Sequence, residues 1–146
     1  MKITDTIGVL LENKHVNTVL SIAPERSVYE ALEKMAEHNV GALLVISNHR
    51  LVGLLSERDY ARKVILKNRS SHDTAVSEIM TSPAVTVAPT DTVHHCMQLM
   101  TERRFRHLPV VESGRVVGML SIGDLVKAVI EEQSAQIEQL ERYIAG

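Results

Sequence analysis

Two stretches of sequence decide the fold: GLLSERD at residues 53–59 and GMLSIGD at residues 118–124. Both contain the pattern Gly-x-x-Ser-x-x-Asp, and they lie 65 positions apart (118 − 53). The same offset, applied without a gap, makes 12 of the 37 positions between residues 24 and 60 identical to a later residue. So many matches at one register in so short a chain indicate a duplicated unit.

Each copy of the unit predicts the same order of strands and helices. Short β-rich runs at residues 19–22 and 85–87 are followed by apolar residues at helical spacing over residues 27–38 and 91–103. Next come a strand, a tight turn and a returning strand, at residues 42–46, 47–50 and 51–55 and again at 108–111, 112–115 and 116–120. A second helix closes each copy. We therefore predict an α/β fold with two β-α-β-β-α repeats, which should pack on each other to bury their apolar faces.

The two Gly-x-x-Ser-x-x-Asp stretches have two interpretations. As local structure, Ser-x-x-Asp is a capping box. The serine side chain caps the helix N-terminus, and the side chain of the aspartate three residues later accepts a hydrogen bond from the backbone N–H of the serine. As a binding site, the helix N-terminus offers free N–H groups to a phosphate, the serine adds a hydroxyl, and the carboxylate accepts hydrogen bonds from ribose. The motif alone leaves both interpretations open.

Further motifs make the resemblance to a known family specific. The chain resembles the CBS domain family over about residues 10–130. The resemblance rests on the order of the repeat, the IMTSPAV stretch at residues 79–85, the RHLPVV strand at 106–111 and the two Gly-x-x-Ser-x-x-Asp stretches. The resemblance implies two repeats packed about a pseudo-twofold axis, an arrangement called a Bateman module, with two clefts for adenosine-containing ligands. We expect the first repeat at residues 8–66, a linker at 67–75, the second repeat at 76–130 and a C-terminal helical extension at 131–146.

The resemblance also implies which residues line the two clefts. The first cleft would use three residues for phosphate and ribose: Ser56, Arg58 and Asp59. Its base would be lined from the same repeat by Gly41 and Ala42, and from the other repeat by Met80, Pro83, Val85, Phe105 and Arg106. The second cleft would use Ser121 and Asp124, together with Thr18, Leu20, Val40, Gly41, Arg106, His107 and Met119. Because Gly123 stands where the first copy has Arg58, the two clefts should differ in charge.

The function implied by the resemblance is that of a non-catalytic regulator in signal transduction. It would bind AMP, ATP or NAD(H) and act through an unknown protein partner. The sequence has no nucleophile or nucleotide-hydrolase motif, and the neighbours His94, His95 and Cys96 point in different directions on a helix, which disfavours a metal site. A net charge of −2 and 3% aromatic residues argue against nucleic-acid binding. The basic stretch RRFRH at residues 103–107 leaves nucleic-acid binding open as an alternative, and a small enzyme-like protein is the other alternative.

The two ends of the chain carry the remaining predictions. The start of the chain, MKITDTIGVLLENK at residues 1–14, predicts a short helix, and its apolar run at residues 7–11 is too brief for a secretory signal. The last helix should run from residue 122 to about 144, where Ile130, Gln133, Ile137, Leu140 and Ile144 follow heptad spacing. This seam predicts a homodimer, unless the helix packs on the chain's own body. The single cysteine and the lack of a long apolar run predict a cytoplasmic protein that does not enter a membrane.

Overall fold

The computed structural model describes residues 5–12 and 19–145, which form two compact units. The first unit comprises residues 19–85, and the second unit comprises the described residues before and after that range. The elements in chain order are α1 (Ile7–Glu12), β1 (Ser21–Ile22), α2 (Val28–His38), β2 (Ala42–Ser47), β3 (Arg50–Ser56), α3 (Glu57–Tyr60) with a π-helical turn (Ala61–Ile65), α4 (Val76–Ile79), α5 (Val93–Arg103), β4 (His107–Glu112), β5 (Arg115–Ser121) and α6 (Ile122–Ala145).

The first unit is built on a three-stranded sheet. Its order is β1-β2-β3, with β1 parallel to β2 and β2 antiparallel to β3. Helix α2 begins after Ser27, whose side chain accepts a hydrogen bond from the backbone N–H of Glu30. The apolar residues whose spacing predicted this helix are the ones that it buries: Val28, Ala31 and Met35. These side chains share a core with Leu43, Val45, Leu55, Val64, Val76 and Ile79.

The sheet of the first unit continues past β3 onto the chain that follows α4. Leu54 and Thr81 exchange two backbone hydrogen bonds, with N···O distances of 3.0 and 2.9 Å. The hydroxyl of Ser82 donates to the carbonyl of Val52 at 2.7 Å. The segment expected to open the second repeat is therefore paired with the edge of the first unit's sheet.

The second unit repeats this plan with a shorter first strand. Strands β4 and β5 form an antiparallel hairpin, and α5 buries Val93, Cys96 and Met100 at the predicted spacing. The strand predicted at residues 85–87 is wrong, because only Val87 pairs, in a parallel bridge to Val110. A turn closed by the backbone N–H of Ala88 and the Asp91 carboxylate, 2.7 Å apart, ends the pairing.

Both hairpins turn through left-handed backbone, as the polar turn sequences predict. The central residues have φ values of 51° and 65° at Asn48 and His49, and 51° and 78° at Ser113 and Gly114. Two consecutive positive φ values give the turn whose twist matches that of the strands on either side. The predicted turns and returning strands are thus confirmed in both units.

Helix α6 confirms the predicted C-terminal helix and leaves its distal part uncovered. Leu125 and Ala128 are buried, whereas from residue 131 to residue 144 every side chain except the half-buried Glu132 is exposed. The distal helix therefore does not pack on the other residues that the structure describes. No helix among residues 5–12 and 19–145 is long and apolar enough to cross a membrane.

Gly53 and Gly118 provide a matched test of how closely their neighbours approach the sheet. A Cβ on Gly53 would lie 2.8 Å from Met80 Sδ and 2.9 Å from the carbonyl oxygen of Thr81, whereas one on Gly118 would meet only the flexible end of Leu11, at 3.0 Å and beyond. We expect Gly53→Ala to lower the free energy of unfolding by about 1–3 kcal/mol through overpacking, and Gly118→Ala to cost less. Urea denaturation measures both, and equal costs would contradict this packing.

The Cys96 thiol should be unreactive in the folded protein. Burial raises the pKa of this thiol to about 12, with a smaller contribution from the charge of Asp91. Near pH 8 its thiolate fraction should be roughly a thousandfold below that of a free cysteine, so Ellman's reagent should react correspondingly slowly until urea unfolds the chain. Because the folded-state pKa is raised, this contribution to stability is present below the thiol's ordinary pKa and is lost as the pH rises toward 12. Fast labelling of the native chain would contradict the burial of Cys96.

Candidate functional site

Both Ser-x-x-Asp motifs form reciprocal capping boxes at the junction of a strand and a helix. In the first unit the backbone N–H of Ser56 donates to Asp59 Oδ2 at 2.9 Å, and that of Asp59 donates to Ser56 Oγ at 3.2 Å. In the second unit the matching distances between Ser121 and Asp124 are 2.8 and 3.2 Å. The capping interpretation is confirmed in both copies, and each cap fixes the position of a half-buried carboxylate.

The helix N-termini at these caps offer fewer N–H groups than expected. The backbone N–H of Glu57 donates to the carbonyl of Gly41 at 3.0 Å, and that of Ile122 donates to the carbonyl of Arg106 at 2.8 Å. The third N–H of each helix is held by the capping serine. The expectation of free N–H groups for a phosphate is therefore wrong at the first and third helical positions, because the chain's own oxygens already satisfy them.

The same hydrogen bonds bring the first residues of β2 and β4 next to the serine and aspartate of the motifs. Ala42 is paired with Ser56 across β2 and β3, and His107 is paired with Ser121 across β4 and β5. The antiparallel register makes this inevitable, since one strand begins where its neighbour ends. Each unit thus brings together the backbone at the start of one strand, a serine hydroxyl and an aspartate carboxylate. We call each such set a seat.

The seat of the first unit contains a lysine that the sequence prediction missed. Lys63 Nζ lies 3.2 Å from Asp59 Oδ1 and donates to the carbonyl of Ile79 at 2.9 Å. The hydroxyl of Thr81 approaches the same carboxylate oxygen at 3.5 Å. The spacing of four residues between Asp59 and Lys63 on one helix was a usable signal for this ion pair. The matching residue of the second unit is Ala128, which is buried, so the two seats differ in charge at a second position.

The structure distributes the other predicted site residues between the units. The first unit contains Leu20, Val40, Gly41, Ala42, Met80, Pro83 and Val85, together with Ser56, Arg58 and Asp59. The second unit contains Phe105, Arg106, His107, Met119, Ser121 and Asp124. Thr18 lies outside the described residues. Met80, Pro83 and Val85 were expected to come from the other repeat than Ser56 but belong to the same compact unit, because Thr81 pairs with β3.

A hollow of about 410 Å³ opens on the helical side of the first unit. Of the residues predicted for the clefts, it is lined only by Val40. The full lining is Leu32, Met35, Ala36, Asn39, Val40, Glu57, Tyr60 and Ala61. This hollow lies against α2 and α3 and does not expose either capped carboxylate.

The other polar clusters among the described residues do not form a further candidate site. Within the described ranges, no group of three or more His, Cys, Asp and Glu side chains is placed to hold a metal ion. Glu78 has a lowered pKa because it accepts hydrogen bonds from the backbone N–H of Ala75 and from Arg69, and it serves as the cap of α4. These interactions account for the local structure of residues 69–78.

Comparison with known proteins finds close relatives along most of the chain. It is 45% identical over 125 residues to the CBS domain-containing protein CBSX3, mitochondrial, from Arabidopsis thaliana, covering 82% of this chain and 61% of that protein. The chain thus spans less than two thirds of that relative's length. The solved structure of a protein with CBS domains from Burkholderia ambifaria is 46% identical, with a TM-score of 0.84, and the match covers 88% of this chain and 96% of that one.

More distant structures share the fold in different complexes. The CBS domain pair of MJ0100, in complex with 5′-methylthioadenosine and S-adenosyl-L-methionine, has a TM-score of 0.78 and 23% identity, and covers 88% of this chain and 98% of that one. A hexameric CBS-CP12 protein from bloom-forming cyanobacteria has a TM-score of 0.72 and 26% identity, covering 88% and 82%. The sequence profile of the CBS domain matches residues 15–66 and 76–131. With both repeats matched, this chain belongs to the CBS domain family.

Proposed function

We propose that this chain is a non-catalytic adenine-nucleotide sensor. It would bind AMP, ATP or NAD(H) and pass its ligand state to a protein partner. The observation that supports this most strongly is the repeated seat, in which a serine and an aspartate are held beside the backbone of residues 41–42 in one unit and 106–107 in the other. That a CBS domain pair of the same fold holds two adenosine compounds is consistent with this chemistry.

The aspartates would act as ribose acceptors while they cap their helices. An ionised carboxylate has about four acceptor sites on two oxygens. In both units the Oδ2 atom accepts the backbone N–H of the capping serine, at 2.9 and 2.8 Å. The ribose hydroxyls would bind at the Oδ1 atom, which in the first seat they would share with Lys63 Nζ, 3.2 Å away. The cap would thus preorganise the acceptor.

Phosphate groups would be bound by side chains more than by helix N–H groups. The first and third N–H groups of each helix are occupied by oxygens of the chain. The first seat compensates with Lys63, whose ammonium group is tethered by the carbonyl of Ile79, and with the neighbouring Arg58. The second seat has Ala128 and Gly123 at these positions. We therefore propose that the first seat favours ligands with more phosphate charge than the second.

An enzymatic function has weaker support. The buried Cys96, with its pKa raised to about 12, is not an activated nucleophile. Its reduced, buried state fits the cytoplasm or another reducing compartment.

The hexameric relative supports assembly of CBS proteins, and for this chain we propose a homodimer.

Ligand binding should be lost one seat at a time. We expect Asp59→Asn and Asp124→Asn each to weaken one adenine-nucleotide site by roughly tenfold to a hundredfold, because each removes a charge-assisted hydrogen bond while an amide oxygen can keep the cap. Isothermal titration calorimetry with AMP measures both sites. Thr92→Ala, which removes the hydrogen bond to the N–H of His95, is a matched cap control that should cost stability and leave binding unchanged. Two unaltered binding events in both aspartate variants would show that the aspartates are caps only.

The two seats should respond differently to salt. In Asp124→Asn the remaining first seat should lose affinity for ATP as ionic strength rises, since half-exposed ion pairs are screened. In Asp59→Asn the remaining second seat should show a smaller salt effect. Adding Arg58→Gly and Lys63→Ala to the Asp124→Asn variant should reduce its salt dependence to that of the second seat. Equal salt dependence of the two seats at the outset would contradict the proposed difference.

A further inference from the structure

Helix α6 has an exposed apolar stripe that the nucleotide seats do not use and that bears on the proposed homodimer. The stripe consists of Val126, Ile130, Gln133, Ile137, Leu140 and Ile144. Its apolar members have exposed fractions from 50% at Val126 to 83% at Ile144. Five large apolar side chains on one surface-exposed helix leave a continuous strip of hydrocarbon in water, which is typical of an interaction surface.

The stripe is separate from the face by which α6 packs on the second unit. That packing face contains Leu125 and Ala128, which are 2% and 3% exposed. At about 100° of rotation per residue, the centre of the stripe lies about 130° around the helix from the packing face, a little more than a third of a turn. The helix can therefore keep its place in the core of the second unit while the whole stripe takes a partner.

We infer that the stripe binds the same stripe of a second copy of this chain, with the two α6 helices antiparallel. In this register Val126, Ile130 and Gln133 face the partner's Ile144, the partner's Leu140 and the partner's Ile137. The twofold axis repeats these three contacts in reverse, so every residue of the stripe meets another residue of the stripe. Five of the six residues are apolar, as a seam with spacings of three and four requires.

The charges beside the stripe select the antiparallel direction. Lys127 and Glu141 follow directly after stripe residues and are both exposed. Neither forms an ion pair with another described residue. In the antiparallel register Lys127 lies beside the partner's Glu141, and symmetry makes this ion pair twice.

A parallel pair of α6 helices would lack these ion pairs. It would place Lys127 beside the partner's Ile122 and Glu141 beside the partner's Gln136, which gives no opposite charges across the seam. In the antiparallel register the residues that meet their own copies at the flanks of the seam are Ser134 and Gln136, which are neutral. A stripe that is complementary to itself under a twofold rotation identifies a second copy as its partner, since an isologous interface joins one surface to itself.

Sedimentation equilibrium of the full chain tests whether the stripe makes the dimer. We expect a dimer at tens of micromolar, and Ile137→Asp should raise its dissociation constant by about a hundredfold or more, because it places a charge in an apolar seam. Gln139→Asp, on a different face of the same helix, is the matched control and should have little effect. A monomeric wild-type chain, or a dimer indifferent to Ile137→Asp, would overturn the inference.

Charge exchange tests the pairing of Lys127 with Glu141. We expect Lys127→Glu and Glu141→Lys each to weaken the dimer by about tenfold, since each replaces two ion pairs by like charges, and the double variant to recover to within about threefold of the wild type. Circular dichroism should show the same helix content in all three variants. A double variant as weak as the single ones would overturn this pairing.

Cross-linking tests the direction of the helices. In a Cys96→Ala background, Val126→Cys and Ile144→Cys chains are mixed in equal amounts and oxidised. We expect disulfides between unlike chains, because the antiparallel register places residue 126 beside the partner's residue 144, whereas two copies of residue 144 lie about 27 Å apart along the helix axis. Disulfides between like chains would overturn the antiparallel register. Because no step requires nucleotide, loss of AMP binding alone would count against the proposed function and not against this dimer.

Discussion

The reciprocal cap between serine and aspartate at each strand–helix junction is the constraint on which the candidate site depends. It ends β3 and β5, starts the helix that follows, and fixes a half-buried carboxylate at one place in each unit. The hydrogen bonds from Glu57 to Gly41 and from Ile122 to Arg106 then attach the start of the neighbouring strand to the same place. Local folding and the proposed ligand site therefore rest on one set of hydrogen bonds, because the residue that caps the helix is also the proposed acceptor.

Duplication has kept this constraint and changed what surrounds it. Both copies keep the glycine, serine and aspartate of the motif, whereas two basic residues of the first copy, Arg58 and Lys63, correspond to Gly123 and Ala128. The second copy also continues its closing helix to Ala145, where the first copy turns through a π-helical segment at Ala61–Ile65. The two copies therefore share the cap geometry and differ in the charge beside it.

The sequence predicted most of the elements because their signals are local. Apolar spacing located α2 and α5, paired turn residues located both hairpins, and the motif itself located the caps. It did not predict that Thr81 pairs with Leu54, because that pairing joins residues far apart along the chain and no local pattern encodes it. Met80, Pro83 and Val85 belong to the second repeat by the family profile, as expected, although this pairing joins them to the first compact unit. Lys63 was missed for a different reason: its spacing from Asp59 was available, but a charged residue on an exposed helix face is common and rarely marks a site.

Nucleotide stoichiometry tests the central claim most directly. In equilibrium dialysis at saturating ligand, one carboxylate seat in each unit predicts two AMP molecules bound per chain, and the adenosine preference implied by the family predicts much weaker binding of GMP. Because the ligand stabilises only the folded chain, the same samples should melt at a higher temperature with AMP than without it. Two AMP molecules per chain with a raised melting temperature is the result we predict. No binding of AMP, ATP or NADH at millimolar concentration, or equal binding of AMP and GMP, would contradict an adenine-nucleotide sensor.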